Sequence, residues 1–182
     1  MKRLLTLALF AVLLLPAVAQ ELTVATYNIR NANKGDAERG NGWERRCPWV
    51  CGLIEFQGFD IFGSQEVLDG QLHDMLAQLP DYAYIGVGRD DGKEAGEYCP
   101  IFFRTDRFTL VEYGNFSLSE QPETIGIKGW DASYNRVTTW AILQEKNNGQ
   151  KFVYFNTHLD NDGKTARKEG VQLILDKIKE IA

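Results

Sequence analysis

Residues 152–160, FVYFNTHLD, constrain the fold of this chain more than any other stretch. Aromatic and β-branched residues run directly into Thr157, His158 and Asp160, so a strand suited to a protein interior ends in polar chemistry. Such a strand fixes its backbone, and polar side chains at its mouth are aimed better than those on a free loop. Residues 136–144 read as a second strand, and the Asn148-Gly149 pair between the two favours a hairpin. Arg136 and His158 therefore arrive on one scaffold. The same residues also suit a histidine that merely finishes a strand.

Upstream, residues 22–29 (LTVATYNI) are apolar on both faces, as a central strand between two layers would be. Residues 31–42 hold no aliphatic anchor beyond alanine and read as a loop. Cys47, Val50, Cys51 and Ile54 then fall at helical spacing, and Pro48 suits only a first turn, which places the helix start near Arg46 and its end at Gly58. A short strand over residues 60–65 leads into Glu66. A second amphipathic helix carries Leu68, Leu72, Met75, Leu76 and Leu79, with His73 off its apolar stripe. Strands follow over residues 82–87, 100–104 and 108–113. Residues 117–135 lack regular pattern and have the length of a lid or binding loop. Val171, Ile174, Leu175 and Ile178 mark a final helix. Hairpins and long loops interrupt the alternation a doubly wound sheet would need, so the order fits an α+β sandwich with mixed sheets. No phosphate-binding glycine loop and no GxSxG elbow occurs.

Residues 1–19 stand apart. Lys2 and Arg3 precede an apolar run over residues 4–15, and Ala17-Val18-Ala19 supplies the small residues of a cleavage site. A run of about 12 residues falls short of the roughly 20 needed to span a bilayer, so a secretory leader is expected rather than a membrane helix. The expectation is an exported domain over residues 20–182, periplasmic or extracellular after cleavage near Ala19. Losing Lys2 and Arg3 moves the formal net charge from −5 to −7, which opposes tight nonspecific binding to nucleic acid. Three cysteines, Cys47, Cys51 and Cys99, make no disulfide framework and read as small core residues. With two histidines and no CxxC, zinc is not indicated.

Asn28, Glu66 and His158 each terminate an apolar strand and precede a loop. Together they suit a common rim: a carboxylate for a hard divalent cation, a carboxamide to orient water or a phosphate oxygen, and a histidine for phosphoryl charge. Ordinary strand-end capping is the plainer account of each residue alone.

In order and spacing, Thr26-Tyr27-Asn28-Ile29-Arg30, Gln65-Glu66 and Thr157-His158-Leu159-Asp160 resemble the endonuclease/exonuclease/phosphatase superfamily. Residues 96–102 (GEYCPIF) and 136–140 (RVTTW) are similar to an exported bacterial branch of it. The resemblance implies a four-layer sandwich, two mostly antiparallel sheets face to face with helices outside. It implies Glu66 and Asn28 as ligands for Mg²⁺ or Mn²⁺, with Asn28 and His158 as catalytic residues contacting phosphate while water attacks phosphorus. Arg136 is expected to grip a nonbridging oxygen. Glu97, Tyr98, Trp130, Asp131 and Asp160 are further substrate-binding candidates. The substrate would be a phosphoester on a small molecule, a lipid head group or a nucleic acid; no motif calls for a protein partner.

The sequence departs from that pattern downstream. Relatives of this kind continue with a Gly-Asp-Phe-Asn motif and a Ser-Asp-His motif, and neither occurs here. The expectation is an N-terminal portion of a longer phosphoesterase, its sandwich incomplete at the C-terminal side and the chain itself inactive. An exported binding module that kept the scaffold without catalysis is the alternative.

Overall fold

A computed structural model describes residues 21–182; the leader expected over residues 1–19 lies outside them. β1 (Val24–Asn28) and β2 (Ile61–Gln65) run parallel, with Asn28 opposite Gln65. The crossover between them holds α1 (Lys34–Glu38) and α2 (Trp43–Gln57). Next come α3 (Asp69–Gln78), β3 (Tyr82–Ile85) and β4 (Ile101–Arg104), giving a first sheet of order β1-β2-β4-β3. β5 (Phe108–Ser117), β6 (Val137–Glu145) and β7 (Lys151–Thr157) form an antiparallel second sheet, followed by α4 (Lys164–Ile181).

β2 is buried at every position because it faces two cores at once. Phe62 stacks on Phe102 with ring centroids 4.6 Å apart and joins Ile54 of α2 with Leu72 and Met75 of α3. Its neighbour Ile61 belongs to the other core, with Ile101, Phe103 and, from the second sheet, Phe108, Ala141 and Leu143. That division is the period-2 alternation of a strand lying between layers. On the far side, Lys177 and Ile181 of α4 share a depression with Phe116 and Trp140 of the second sheet. The architecture is an α+β sandwich, two sheets face to face with helices outside.

Two polar ties lock the sheets together. The Tyr154 hydroxyl accepts from the Gly63 N–H at 3.0 Å and donates to the Ala25 carbonyl at 2.9 Å. Asn156, also on β7, donates to the carbonyls of Ser64 and Pro100 and accepts from Gln65 Nε2. Glycine is required at position 63, since a Cβ there would sit 2.5 Å from the Asn156 side chain.

Several local expectations are corrected. β1 is not central: it is the outer strand of its sheet among the described residues, so alternate residues turn outward and Val24 is 47% exposed. α2 begins at Trp43, not Arg46, and Pro48 lies inside it, because the Trp43 ring is buried and its Nε1–H donates to Asp74. Gly58 ends α2 in the left-handed conformation, φ 61°, as expected. The loop after β1 contains the short helix α1, which Asn33 caps by accepting from the Asp36 N–H. β5 extends to Ser117, with a bulge between Leu110 and Glu112. The hairpin loop spans residues 146–150 rather than forming a tight two-residue turn. All three cysteines are buried free thiols.

Candidate active site

The parallel pairing of β1 and β2 brings both C-terminal ends to one edge of the sandwich, where Asn28 and Glu66 emerge side by side. The Asn28 side-chain amide donates to Glu66 Oε1 at 2.8 Å, and the Asn31 backbone N–H donates to Oε2 at 3.2 Å. Burial pushes the Glu66 carboxyl up, but these two hydrogen bonds outweigh it and hold the group below its ordinary value, with His158 and Arg30 adding to the effect. Glu66 has φ 61° and Arg30 φ 60°, a left-handed backbone that is costly for side chains of this size and clusters at functional sites. Holding the turn are the Arg46 guanidinium, which donates to the carbonyls of Ile29, Arg30 and Asn31, and Gln71, which bonds Ala32, Arg30 and the Leu68 N–H.

β7 reaches the same edge through the Asn156 tie, and His158 follows it directly. The resulting cleft, of about 360 Å³, is lined by Glu66, Glu97, Arg136 and His158 among the residues singled out from sequence, and by Asn31, Arg89, Tyr134 and Asn161 in addition. Burial and, secondarily, the Arg136 charge lower the His158 imidazole from its usual value, and its Nδ1 is buried without a hydrogen-bond partner. Arg136, 5% exposed, donates through Nε to Asp160 at 3.2 Å and through Nη2 to Asn161 at 3.0 Å. Across the cleft, Glu97 accepts from the Asn31 side chain at 2.8 Å and pairs with Arg89.

Other candidates sit outside the cleft lining. Asp160 is buried behind Arg136; burial raises its carboxyl, but N–H groups of Gly163, Ser133, Asp162 and Tyr134 win and hold it well below the carboxylate range. Tyr98 is buried and donates its hydroxyl to Asp69 at 3.0 Å. Asp131 accepts from the N–H groups of Thr165 and Ala166, so it caps α4 from a distance. Trp130 is held by its backbone N–H on Glu120. A larger apolar depression, about 770 Å³, lies against α2 around Trp49, Leu53 and Phe56; it shares Asn28 with the site but none of the cleft's charged residues.

Sequence reasoning missed Asn31, Arg89, Tyr134 and Asn161. Asn31 lies three residues after Asn28, while Tyr134 and Asn161 flank Arg136 and Asp160 closely enough to have been weighed with them. Arg89 carried no signal beyond its place in a polar loop.

Among the described residues, no group of three or more His, Cys, Asp or Glu side chains is placed to hold a metal ion. Mg²⁺ commonly takes only one or two protein carboxylates, with water and substrate phosphate completing its shell. An oxygen set of one ionised carboxylate beside two carboxamides fits such an ion.

No family model and no curated protein matches the chain. Solved structures do. An endonuclease/exonuclease/phosphatase family protein from Bacteroides thetaiotaomicron is 50% identical, with a TM-score of 0.86 over 88% of this chain and 59% of its own. Its counterpart from Bacteroides vulgatus is 46% identical, with a TM-score of 0.83 over 86% of this chain and 59% of its own. Over most of its length this chain matches endonuclease/exonuclease/phosphatase family proteins. A third family structure, a Bacteroides thetaiotaomicron mannosyl-6-phosphatase, is 50% identical, with a TM-score of 0.86 over 88% of this chain and 60% of its own. The chain thus spans about 60% of the length of these family members.

Proposed function

We propose that this chain carries the cation- and phosphate-binding part of an exported, divalent-metal-dependent phosphoesterase. One observation carries the reading: Glu66 with Asn28, and His158 with Arg136, come from different sheets and meet at a single cleft edge. Glu66 and the neighbouring amide oxygens would hold Mg²⁺ or Mn²⁺, whose chemistry is to offset charge on a phosphoryl group. Arg136, fixed by Asp160 and Asn161, is preorganised to donate to a phosphate oxygen. The neutral imidazole of His158 stands ready to hydrogen-bond that oxygen as charge develops.

The similarity to a mannosyl-6-phosphatase favours a small phosphomonoester, and a net charge of −5 points away from a polynucleotide. Among the described residues no helix is long and apolar enough to cross a membrane. Among the described residues that line the cleft, none is set up to activate water. Glu97 is paired with Arg89, Asp160 with Arg136, and the His158 Nδ1 has no carboxylate to orient it as a base. The chain is therefore expected to bind cation and phosphate while turning over little by itself.

The test is calorimetry with Mn²⁺ and inorganic phosphate on the folded chain and on Glu66→Gln. Binding lost in the variant supports the reading, and a wild-type chain that binds neither ligand overturns it. Metal-dependent turnover by the chain alone, abolished by Glu66→Ala, would refute the part concerning low activity.

A further inference from the structure

Tyr98 stands among the substrate-binding candidates of the sequence, yet its ring lies in the core at 2% exposure, out of reach of a substrate. Its contacts give it another part to play. The Tyr98 N–H donates to the Val67 carbonyl at 2.7 Å, and Tyr98 forms isolated antiparallel bridges with both Val67 and Gly88. Val67 follows Glu66 and Gly88 precedes Arg89, so one residue pins the backbone behind two members of the cleft. Glu97, immediately before it, also lines the cleft and accepts from the Asn31 side chain, while the Asn31 backbone N–H donates to Glu66. The hydroxyl makes a third attachment: it donates to Asp69 Oδ1 at 3.0 Å, in the first turn of α3. Two residues further along α3, Gln71 holds the Arg30 carbonyl and the Ala32 N–H. Both flanks of Glu66 are thus fastened to one helical turn.

We propose that Tyr98 is a positioning residue for Glu66, its hydroxyl fixing the aim of that carboxylate at the cation through Asp69. This role rests on the phosphoesterase reading of the cleft. Glu66 keeps a left-handed backbone, φ 61°, which persists in a residue of this size only where its neighbours over-determine it. The Asn31 N–H restrains its side chain, and the Val67–Tyr98 bridge restrains the backbone that follows. The core would bury a phenylalanine at position 98 as readily, with no hydroxyl to satisfy. Only the bond to Asp69 registers this segment against α3. Metal ligands hold their geometry through such outer contacts, and losing one costs about 10–100-fold in affinity. The phosphate side of the cleft does not depend on this clamp: Arg136 is fixed by Asp160 and Asn161, and His158 follows β7.

Calorimetry on the full chain compares affinity for Mn²⁺ with affinity for inorganic phosphate measured without a cation. Tyr98→Phe keeps the buried ring and should weaken Mn²⁺ about 10-fold while leaving phosphate unchanged. Asp69→Ala, at a partly exposed side chain, should reproduce that loss, and Asp69→Asn, which keeps an acceptor oxygen, should bind Mn²⁺ as wild type does. The double variant Tyr98→Phe/Asp69→Ala should be no weaker than either single change, since both break one link. A merely structural role would loosen both ligands together or neither. Tyr98→Phe binding Mn²⁺ like wild type, or losing phosphate to the same degree, overturns the role and leaves the phosphoesterase reading in place. Asp69→Asn behaving like Asp69→Ala does the same. The two Asp69 variants decide the matter if Tyr98→Phe melts early or phosphate alone binds below detection. A wild-type chain that binds no Mn²⁺ fails the cation site, and the positioning role falls with it.

Discussion

Asn156 on β7 donates its side-chain amide to the Ser64 carbonyl of β2 at 2.7 Å, and this contact sets the distance between the halves of the site. The same side chain serves Pro100 and Gln65, so every polar atom of a 5%-exposed amide is satisfied across the sheet interface. Asn156→Ala would remove one hydrogen bond each from the Ser64 carbonyl, the Pro100 carbonyl and the Gln65 amide, and leave a cavity between the sheets. Destabilisation on the order of 2–4 kcal/mol is expected in urea unfolding. A loss under about 0.5 kcal/mol, the range of ordinary surface changes, would mean the tie is incidental.

Asp160 and Arg136 make a buried pair with a directional pH dependence. Asp160 titrates below its unfolded value, so its contribution is fully present above about pH 4 and is lost as pH falls through the folded value. Asp160→Asn leaves Arg136 buried without its counter-charge, and a loss of about 3–5 kcal/mol at neutral pH is expected. Unfolding measured from pH 7 down to 2 should show the two curves running parallel above about pH 4 and closing below it. Curves still parallel below about pH 4 would sink the assignment.

The fold was legible where periodicity and core demand agree. β6 and β7 carry the apolar stretches WAIL and FVYF, β2 opens on Ile-Phe, and α3 has an apolar stripe, so their existence followed from pattern alone. β1 misled because LTVATYNI carries the same apolar signal whether its sheet continues beside it or not; position in a sheet is a tertiary property. α2 started early because burial of Trp43 outweighs the backbone bond that Pro48 removes. In the site, strand-end residues such as Asn28, Glu66 and His158 were readable because a strand must stop somewhere definite. Asp131 and Asp160 could not be sorted from sequence: a carboxylate that caps a helix and one that backs an arginine look alike until the loops are placed.

Arg46 is expected to act on the site through the backbone. Its guanidinium spans the carbonyls of Ile29, Arg30 and Asn31 at 2.6, 3.0 and 3.2 Å, holding the left-handed Arg30 turn that aims Asn28 and Asn31 at Glu66. Arg46→Met should cost about 1–3 kcal/mol of stability. Mn²⁺ affinity measured by calorimetry should fall about 10–100-fold, as when an outer partner of a metal ligand is removed. Arg46→Lys should rescue poorly, because a single ammonium cannot match a planar fork set on three acceptors. Unchanged Mn²⁺ affinity in a folded Arg46→Met protein would rule this role out.

His158 offers a test in which two substitutions must move one signal in opposite directions. Burial lowers its imidazole first and the Arg136 charge second, while Glu66 and Glu97 pull it back up. The folded midpoint should therefore lie below about 6.5, the unfolded value. The stability contribution of the neutral ring is then complete above pH 6.5 and lost as pH falls through the folded midpoint. Only two histidines occur in the chain, so its ring protons can be followed by NMR across pH 4–8 and assigned with a His73→Gln variant. Arg136→Met should raise the His158 midpoint by removing a like charge, and Glu66→Gln should lower it by removing an opposite one. If both variants shift it the same way, or if the wild-type midpoint sits at or above 6.5, then His158, Arg136 and Glu66 do not share one electrostatic environment, and the single cleft on which the phosphate site depends is wrong.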